Sequence, residues 1–584
     1  MSNQPFDTDV VVIGTGPAGA TTALALATYG ISVRFYTQFN GLANSPRAHI
    51  TNQRAVEVLR EFDLEEEAKS RATLWQHMGE SMITTSLIGE EIARIQAWGT
   101  GDLRHGDYVK GSPSPLFDLV QPEMEALLVK HAVARGANLF YNTEYLDHEQ
   151  DDTGVTVWFL DRLENRKYSV RAKYLVGMDG ARSKIVEKIG LPIEGHMARA
   201  GTTYVRFKAD LSKYVQHRPS ILHWIVNPAA GFGEIGMGLL RAISPWNDWI
   251  AGWGFDIAQG EPQYTPEQII QRIHTFIGTD DVDIEVQNVS AWYVNQAFAK
   301  HYSVGRVFCG GDAVHRHPPS SGLGSNTCIQ DAFNLAWKLA FVIKDWAKAD
   351  LLSSYSDERV PVGQQIVARA NQSRMDYKHL KDVFGFDQGI ATIQQLLDRL
   401  NAATADAAEL RLQLNHALEI KNFEFNAQGV ELNQRYQSVA VVLDDECDEQ
   451  WQADPQLYLQ ATSRPGAKIP HCWLIDDAKN GQKVSTLDIV GNGKLTLVTG
   501  LSGTAWKQAA VQLDLPYLNV VTIGQEVKDV YGIWQKTCEI AEAGMLLVRP
   551  DGYVAWRHQE ALYDDAQALQ KLTHVLEQMN YKIA

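Results

Sequence analysis

The strongest constraint on this chain lies near its start. Asp9-Val-Val-Val-Ile13 is a short apolar run, and Gly14-Thr-Gly16-Pro-Ala-Gly19 follows it without a break. An apolar run of that length reads as a strand covered on both faces, as in a parallel sheet. Ala20 to Tyr29 is small, apolar and helix-forming and stops at Gly30, and Ile31 to Tyr36 reads as a second strand. A Gly-x-Gly-x-x-Gly turn between strand and helix lets the backbone approach a pyrophosphate, which the unpaired N–H groups and dipole of the helix then hold. Gly14, Gly16 and Gly19 are therefore expected to bind a dinucleotide. The acid that ordinarily takes the ribose hydroxyls at the end of the second strand is missing. Thr37 stands at that position, so its hydroxyl, a neighbouring amide or another group has to serve.

A second match, Gly231-x-Gly233-x-x-Gly236, runs into the strand-like Met237 to Arg241 with no helix start, so it is not read as a nucleotide site. Elsewhere, helices are expected over 48–70, 121–135, 327–347 and 390–420, and paired strands over 153–177. Residues 201–260, with Trp224, Trp246 and Trp253, read as a sheet covering one side of a pocket. An acidic stretch at 444–449 precedes a strand at 494–499, a helix from Thr504, and a strand–turn–strand around Pro550-Asp551-Gly552.

A formal net charge of −17 argues against a general nucleic-acid binder. The five cysteines (Cys309, Cys328, Cys447, Cys472 and Cys538) are scattered and form no C-x-x-C pair, so neither a disulfide framework nor a metal site is expected. No run of 18 apolar residues occurs, and Gln4, Asp7 and Asp9 replace the basic start of a secretory leader, so a cytoplasmic protein without membrane spans is expected.

Two later motifs decide the chemistry. One is Tyr174-Leu-Val-Gly-Met-Asp179-Gly180-Ala-Arg182-Ser183. The other is Gly305-Arg306-Val-Phe-Cys-Gly-Gly311-Asp312-Ala313-Val-His315-Arg-His317-Pro318-Pro319-x-x-Gly322-x-Gly324-x-Asn326. With the first glycine turn, in this order and spacing, they resemble the class A flavoprotein aromatic hydroxylases, the group of para-hydroxybenzoate hydroxylase and phenol hydroxylase. Pro46-Arg47-Ala-His49-Ile-Thr-Asn-Gln-Arg54, Phe117-Asp118-Leu, Asn433-Gln-Arg-Tyr436, Ser463-Arg-Pro-Gly466 and Leu501-Ser-Gly-Thr-Ala-Trp506 are similar to the subgroup of 2,4-dichlorophenol 6-monooxygenase and 2-hydroxybiphenyl 3-monooxygenase, over essentially the whole chain.

The resemblance implies an α/β fold in four parts. These are a discontinuous Rossmann-type FAD-binding domain (1–200 and 285–400), a β-sheet substrate domain (201–284), a helical linker (401–439) and a thioredoxin-like domain without redox cysteines (440–584). It implies non-covalent FAD and NADPH or NADH as co-substrate. It also implies a flavin C4a-hydroperoxide that hydroxylates a phenol ortho to its hydroxyl, and a homodimer. It assigns Arg47, Gln121, Asp179, Asp312, Gly322, Gly324 and Asn326 to FAD, with Asp312 on the ribityl chain. His49, Asp118 and Arg241 are placed beside the substrate ring, where His49 and Asp118 are suited to take or polarise the phenolic proton. Tyr204, Trp224 and Pro319 are expected to shape the substrate pocket. Tyr204 departs from the subgroup, which carries asparagine in that strand, and would narrow the pocket if it points inward. Two alternatives stay open: a hydroxylase of another aromatic (an aromatic acid, naphthol, aminophenol or indole derivative), and a flavoprotein without oxygenase chemistry.

Overall fold

The computed structural model describes residues 5–46, 48–198, 200–228, 235–444 and 449–583. Thr8–Ile13 is the central strand of a sheet, paired in parallel with Val33–Tyr36 on one side and Arg166–Gly177 on the other. Asn138–Phe140 and Val307–Cys309 extend the parallel part outward. Between Thr8–Ile13 and Val33–Tyr36 the helix Pro17–Thr28 crosses over, and its buried face is almost all alanine, leucine and threonine. Small residues there let it lie close to the helix Gly324–Ile343, which carries the last residues of the Asp312 motif, Gly324 to Asn326. The expected strand pair appears as Val155–Asp161 against Arg166–Gly177, with Thr143–Gln150 added.

The sheet expected over 201–260 forms but is wider. Its order is Glu285–Tyr293, Gly201–Lys208, Asp248–Phe255, Gly238–Ser244, Leu222–Ile225, Ser81–Thr84 and Glu91–Ile95. Ser81–Thr84 joins by a parallel ladder to Leu222–Ile225, a long-range pairing that no local periodicity reports. The helix expected over 48–70 also divides. Ile50–Thr51 is extended and pairs with Phe117–Asp118. Asn52 then caps the helix Gln53–Glu61 by accepting from the Ala55 N–H. Asp63, in the left-handed region at φ 57°, separates that helix from Glu65–Arg71. The helical stretch at 390–420 is two helices, Ile393–Asn401 and Ala405–Ile420, each started by a threonine cap, Thr392 and Thr404.

Near the C-terminus, Leu495–Gly500 pairs in parallel with Leu518–Ile523 and antiparallel with Met545–Val548, which pairs in turn with Val554–His558. The helices Thr504–Leu513 and Asp565–Gln578 pack on one another. This β-α-β then β-β-α order is the thioredoxin-like arrangement expected. The loop leading into Thr504 holds no cysteine. Burial pushes the Cys472 thiol up to about 11 and raises that of Cys538, so neither is a thiolate at neutral pH. No helix among the described residues is long and apolar enough to cross a membrane.

Candidate active site

The glycine turn is built for close approach. A Cβ on Gly14 would lie 2.1 Å from the Met178 carbonyl oxygen, and one on Gly19 would lie 2.1 Å from the Gly14 carbonyl oxygen. Strand, turn and helix can meet only if both positions lack a side chain. Above Gly16, in contrast, a Cβ would meet only Glu125 Oε1, at 3.8 Å. Gly16 is also the N-cap of Pro17–Thr28, and no side chain caps that helix. Its first N–H groups are thus left for an anion.

Two further segments come to this turn. Asp179 follows Met178 at the end of the neighbouring strand. Its Oδ1 is buried with no hydrogen-bond partner in the protein, and burial raises its pKa. Asp312, after Val307–Cys309, is exposed, and its Oδ1 has the Cys328 thiol at 3.7 Å. A buried orphan acceptor, an open carboxylate and an uncapped helix end together fit a pyrophosphate flanked by hydroxyl groups.

Thr37 is buried at the end of Val33–Tyr36, and its Oγ1 accepts from the Phe39 N–H at 3.3 Å. Gln121 donates to Glu125 Oε1 at 2.7 Å, and the Ala43 N–H donates to Glu125 Oε2 at 2.8 Å. The sequence reading missed Glu125, whose only local sign is its spacing four residues after Gln121. Arg47 lies outside the described residues, as do Gly231 and Gly233. Gly238–Ser244 is a strand, as the reading of that second glycine match requires.

The loop 318–326 is held from inside. The Asn326 side chain accepts from the Asn52 N–H at 2.9 Å and donates to the carbonyl oxygens of Ile50 (2.8 Å) and Gly322 (2.6 Å). Asn326 therefore ties the loop to the His49–Asn52 segment, with its amide fully used. The helix Gly324–Ile343 starts without a side-chain cap, so its first N–H groups are available at the loop.

Beside this loop is a cavity of about 270 Å³ with a mainly apolar wall. His49, Tyr204, Trp224, Arg241 and Pro319 all line it, and Asp118 does not. The Asp118 side chain is 1% exposed and stands behind His49. Its Oδ2 is 3.0 Å from His49 Nδ1, and Arg241 Nη2 donates to Oδ1 at 2.9 Å and to Oδ2 at 3.0 Å. The ladder of Ile50–Thr51 on Phe117–Asp118 brings His49 and Asp118 together across 69 positions of chain.

Burial works against the Asp118 charge, but Arg241 and His49 outweigh it and hold its pKa below the usual carboxylate value. His49 goes the other way: burial first, and Arg241 second, lower its pKa below 6.5. A neutral His49 next to an ionised Asp118 carries its proton on Nδ1, so Nε2 is left as the acceptor.

Tyr204 fills space that its cross-strand partner Gly252 leaves empty. Burial pushes its pKa up to about 12, so it stays protonated and acts as a donor. The Trp224 ring packs against Tyr377 in a tilted arrangement, with centroids 4.7 Å apart and the ring planes at 51°. The cavity also takes Glu424 and Phe425 from the segment expected to be a linker, as well as Trp98 and Trp292. These residues are far apart in the chain, and their local patterns read as ordinary core.

A family model described as FAD binding domain matches residues 7–370, and one described as aromatic-ring hydroxylase, C-terminal, matches 462–579. The chain is 43% identical to 2,4-dichlorophenol 6-monooxygenase of Delftia acidovorans, over 97% of this chain and 98% of the relative. It is 41% identical to phenol 2-monooxygenase of a Pseudomonas species (strain EST1001), over 96% and 92%. Among solved structures, it is similar to the flavin-dependent monooxygenase PieE in complex with FAD and substrate. That match has a TM-score of 0.93 and 37% identity, covering 98% of this chain and 100% of the other.

Proposed function

Since this chain belongs to the FAD-dependent aromatic-ring hydroxylases, we propose that it hydroxylates a small phenol ortho to its hydroxyl, with His49 as the group that withdraws the phenolic proton. FAD, reduced by NADPH or NADH, supplies the activated oxygen of O2 when bound. The observation that carries the reading is the Arg241–Asp118–His49 chain ending at the wall of an apolar cavity.

A free phenol has a pKa near 10, so at neutral pH its proton stays on and the ring is a weak nucleophile. His49 Nε2 is the acceptor for that proton, and Asp118 stabilises the imidazolium that results. Arg241 keeps Asp118 ionised and fixes its plane through both oxygens. Gly16 and the helix behind it would hold the FAD pyrophosphate, and Asp312 the ribityl hydroxyls. The open end of Gly324–Ile343 would face the flavin edge that gains negative charge. The apolar wall excludes water from the reacting oxygen.

At about 270 Å³ the cavity falls just below the usual range for ligand pockets, about 300–1,000 Å³, and Tyr204 occupies part of its wall, so one substituted ring suits it. An aromatic acid is disfavoured, because the charge of Arg241 is already met by Asp118. We further propose the four-part domain division given above, amended so that the strands at 81–95 and 285–293 belong to the substrate sheet, together with a homodimer and a cytoplasmic location, where the reduced nicotinamide nucleotide is at hand. Light scattering checks the dimer.

The test of the activity is NADPH and NADH oxidation by the yellow holoprotein across a panel of phenols, with products weighed by mass spectrometry. Stimulated oxidation with a product one oxygen heavier is expected. Nucleotide oxidation indifferent to every phenol, with no oxygenated product, would leave a flavoprotein of another kind.

A further inference from the structure

The thioredoxin-like part has no redox cysteines, yet it sends its most deeply buried charges into the flavin-binding part. The turn between Met545–Val548 and Val554–His558 carries Arg549 (0% exposed) and Asp551 (2%). Arg549 donates through Nη1 and Nη2 to both oxygens of Glu358, at 2.6 and 2.8 Å, and through Nε to Asp551 Oδ1 at 3.0 Å. Lys338, Asn334 and Ser438 complete the shell around Glu358. Surface contacts between domains rarely bury full charges, because desolvation is costly unless every group is paired. Here each one is.

From this turn, two lines of contact run to the two segments that build the site. The backbone carbonyl oxygen of Asp551 accepts from Arg54 Nη2 at 2.6 Å. Arg54 lies in Gln53–Glu61, the helix that begins directly after His49, Ile50 and Asn52. The other line passes through the residue after Glu358. Arg359 Nε donates to Asp331 Oδ1 at 2.7 Å, while Asp331 Oδ2 accepts from the Gly311 N–H at 3.0 Å and contacts His315 Nε2 at 2.9 Å. Gly311 and His315 bracket Asp312. Arg359 Nη1 donates to the Tyr436 hydroxyl at 2.8 Å, and the Tyr436 ring lies 4.3 Å from that of Tyr553 on the same hairpin. This also accounts for two motifs without an assigned role. A Cβ on Gly466 would lie 2.1 Å from the Tyr436 carbonyl oxygen, so Asn433–Tyr436 and Ser463–Gly466 interlock beside the hairpin.

We propose that the hairpin tip at Arg549 and Asp551 is a positioning element for the flavin site, setting the Gly311–His315 loop and the His49 segment together. This rests on the FAD-binding reading of that loop. Arg549→Met and Arg557→Met separate the idea from general stability. Arg557 is a buried arginine of the same hairpin that pairs with Asp444 and Glu539, away from the flavin loop.

FAD affinity is measured by fluorescence titration of the full chain, and the visible circular dichroism of bound FAD is recorded, both at a temperature where each variant is folded. Arg549→Met is expected to weaken FAD binding at least tenfold and to change the flavin spectrum. Arg557→Met is expected to lower the melting temperature with FAD affinity within twofold of the parent. Equal weakening in both variants, or none in Arg549→Met, would overturn the proposal. If Arg549→Met does not fold, Asp551→Asn decides: about threefold weaker binding supports it, and parental affinity with a parental flavin spectrum overturns it. An Asp312→Ala variant that still binds FAD as the parent does would instead count against the assignment of the loop to FAD.

Discussion

At the scale of single residues, the division of labour between His49 and Asp118 has measurable consequences. Both were legible as a pair suited to a phenolic proton, but nothing in the sequence separated the group at the cavity from the one behind it. That order depends on a ladder between two short strands 69 positions apart in the chain. His49→Ala should retain FAD and bind phenol, but release most of its reducing equivalents as hydrogen peroxide. Asp118→Asn should move the same way, since its amide cannot stabilise an imidazolium. The check is product formed per NADPH consumed at matched flavin content, and parental coupling in both variants would remove the pair from the chemistry. Asp118→Ala should in addition cost about 3–5 kcal/mol of stability, because it strands the buried Arg241 cation. The depressed pKa of His49 fixes a pH limb as well. A base is active when neutral, so activity is lost as pH falls through the folded-state value, which lies below 6.5. The acid midpoint of kcat/KM should therefore fall below 6.5, and a midpoint above 7 would exclude His49 as the base.

Strands and helices report a second level. The glycine turn, the helix at Pro17–Thr28 and the late strand–turn–strand could be read directly, because each is signalled by residues next to one another. The parallel docking of Ser81–Thr84 on Leu222–Ile225, and the arrival of Glu424 and Phe425 at the cavity, could not be read, since both are fixed only by packing between distant segments. Tyr204 shows how much one strand register decides: its ring has room at the cavity wall because it stands opposite Gly252. Tyr204→Ala should open the pocket, improving turnover of bulkier phenols and raising KM for unsubstituted phenol about tenfold. An unchanged order of substrate preference would show that this strand does not set the pocket's size. In the C-terminal part of the chain, changing Cys447, Cys472 and Cys538 together to serine should leave turnover within about twofold, since no C-x-x-C pair is present and burial raises the pKa of the Cys472 and Cys538 thiols. Cys447 lies outside the described residues. Loss of turnover at normal flavin content would contradict this.

On the scale of the whole molecule, the charges buried between Arg549, Glu358 and Asp551 join the C-terminal sheet to the flavin-binding part as one core rather than as two bodies in contact. Heating the holoprotein should give one transition, with flavin release and loss of far-ultraviolet ellipticity coinciding. Two separated transitions would mean that the parts unfold independently. The cavity-bearing sheet has a different kind of indivisibility. Its strands come from three stretches of chain: 81–95, 201–255 and 285–293. A gene segment covering 201–284, moved in from a relative, would bring new inner strands to lie against old outer ones. Recombination is therefore a poor route to a new substrate for a protein built this way. Its range has to drift through single replacements on the strands that face the ring, while the flavin loops stay as they are.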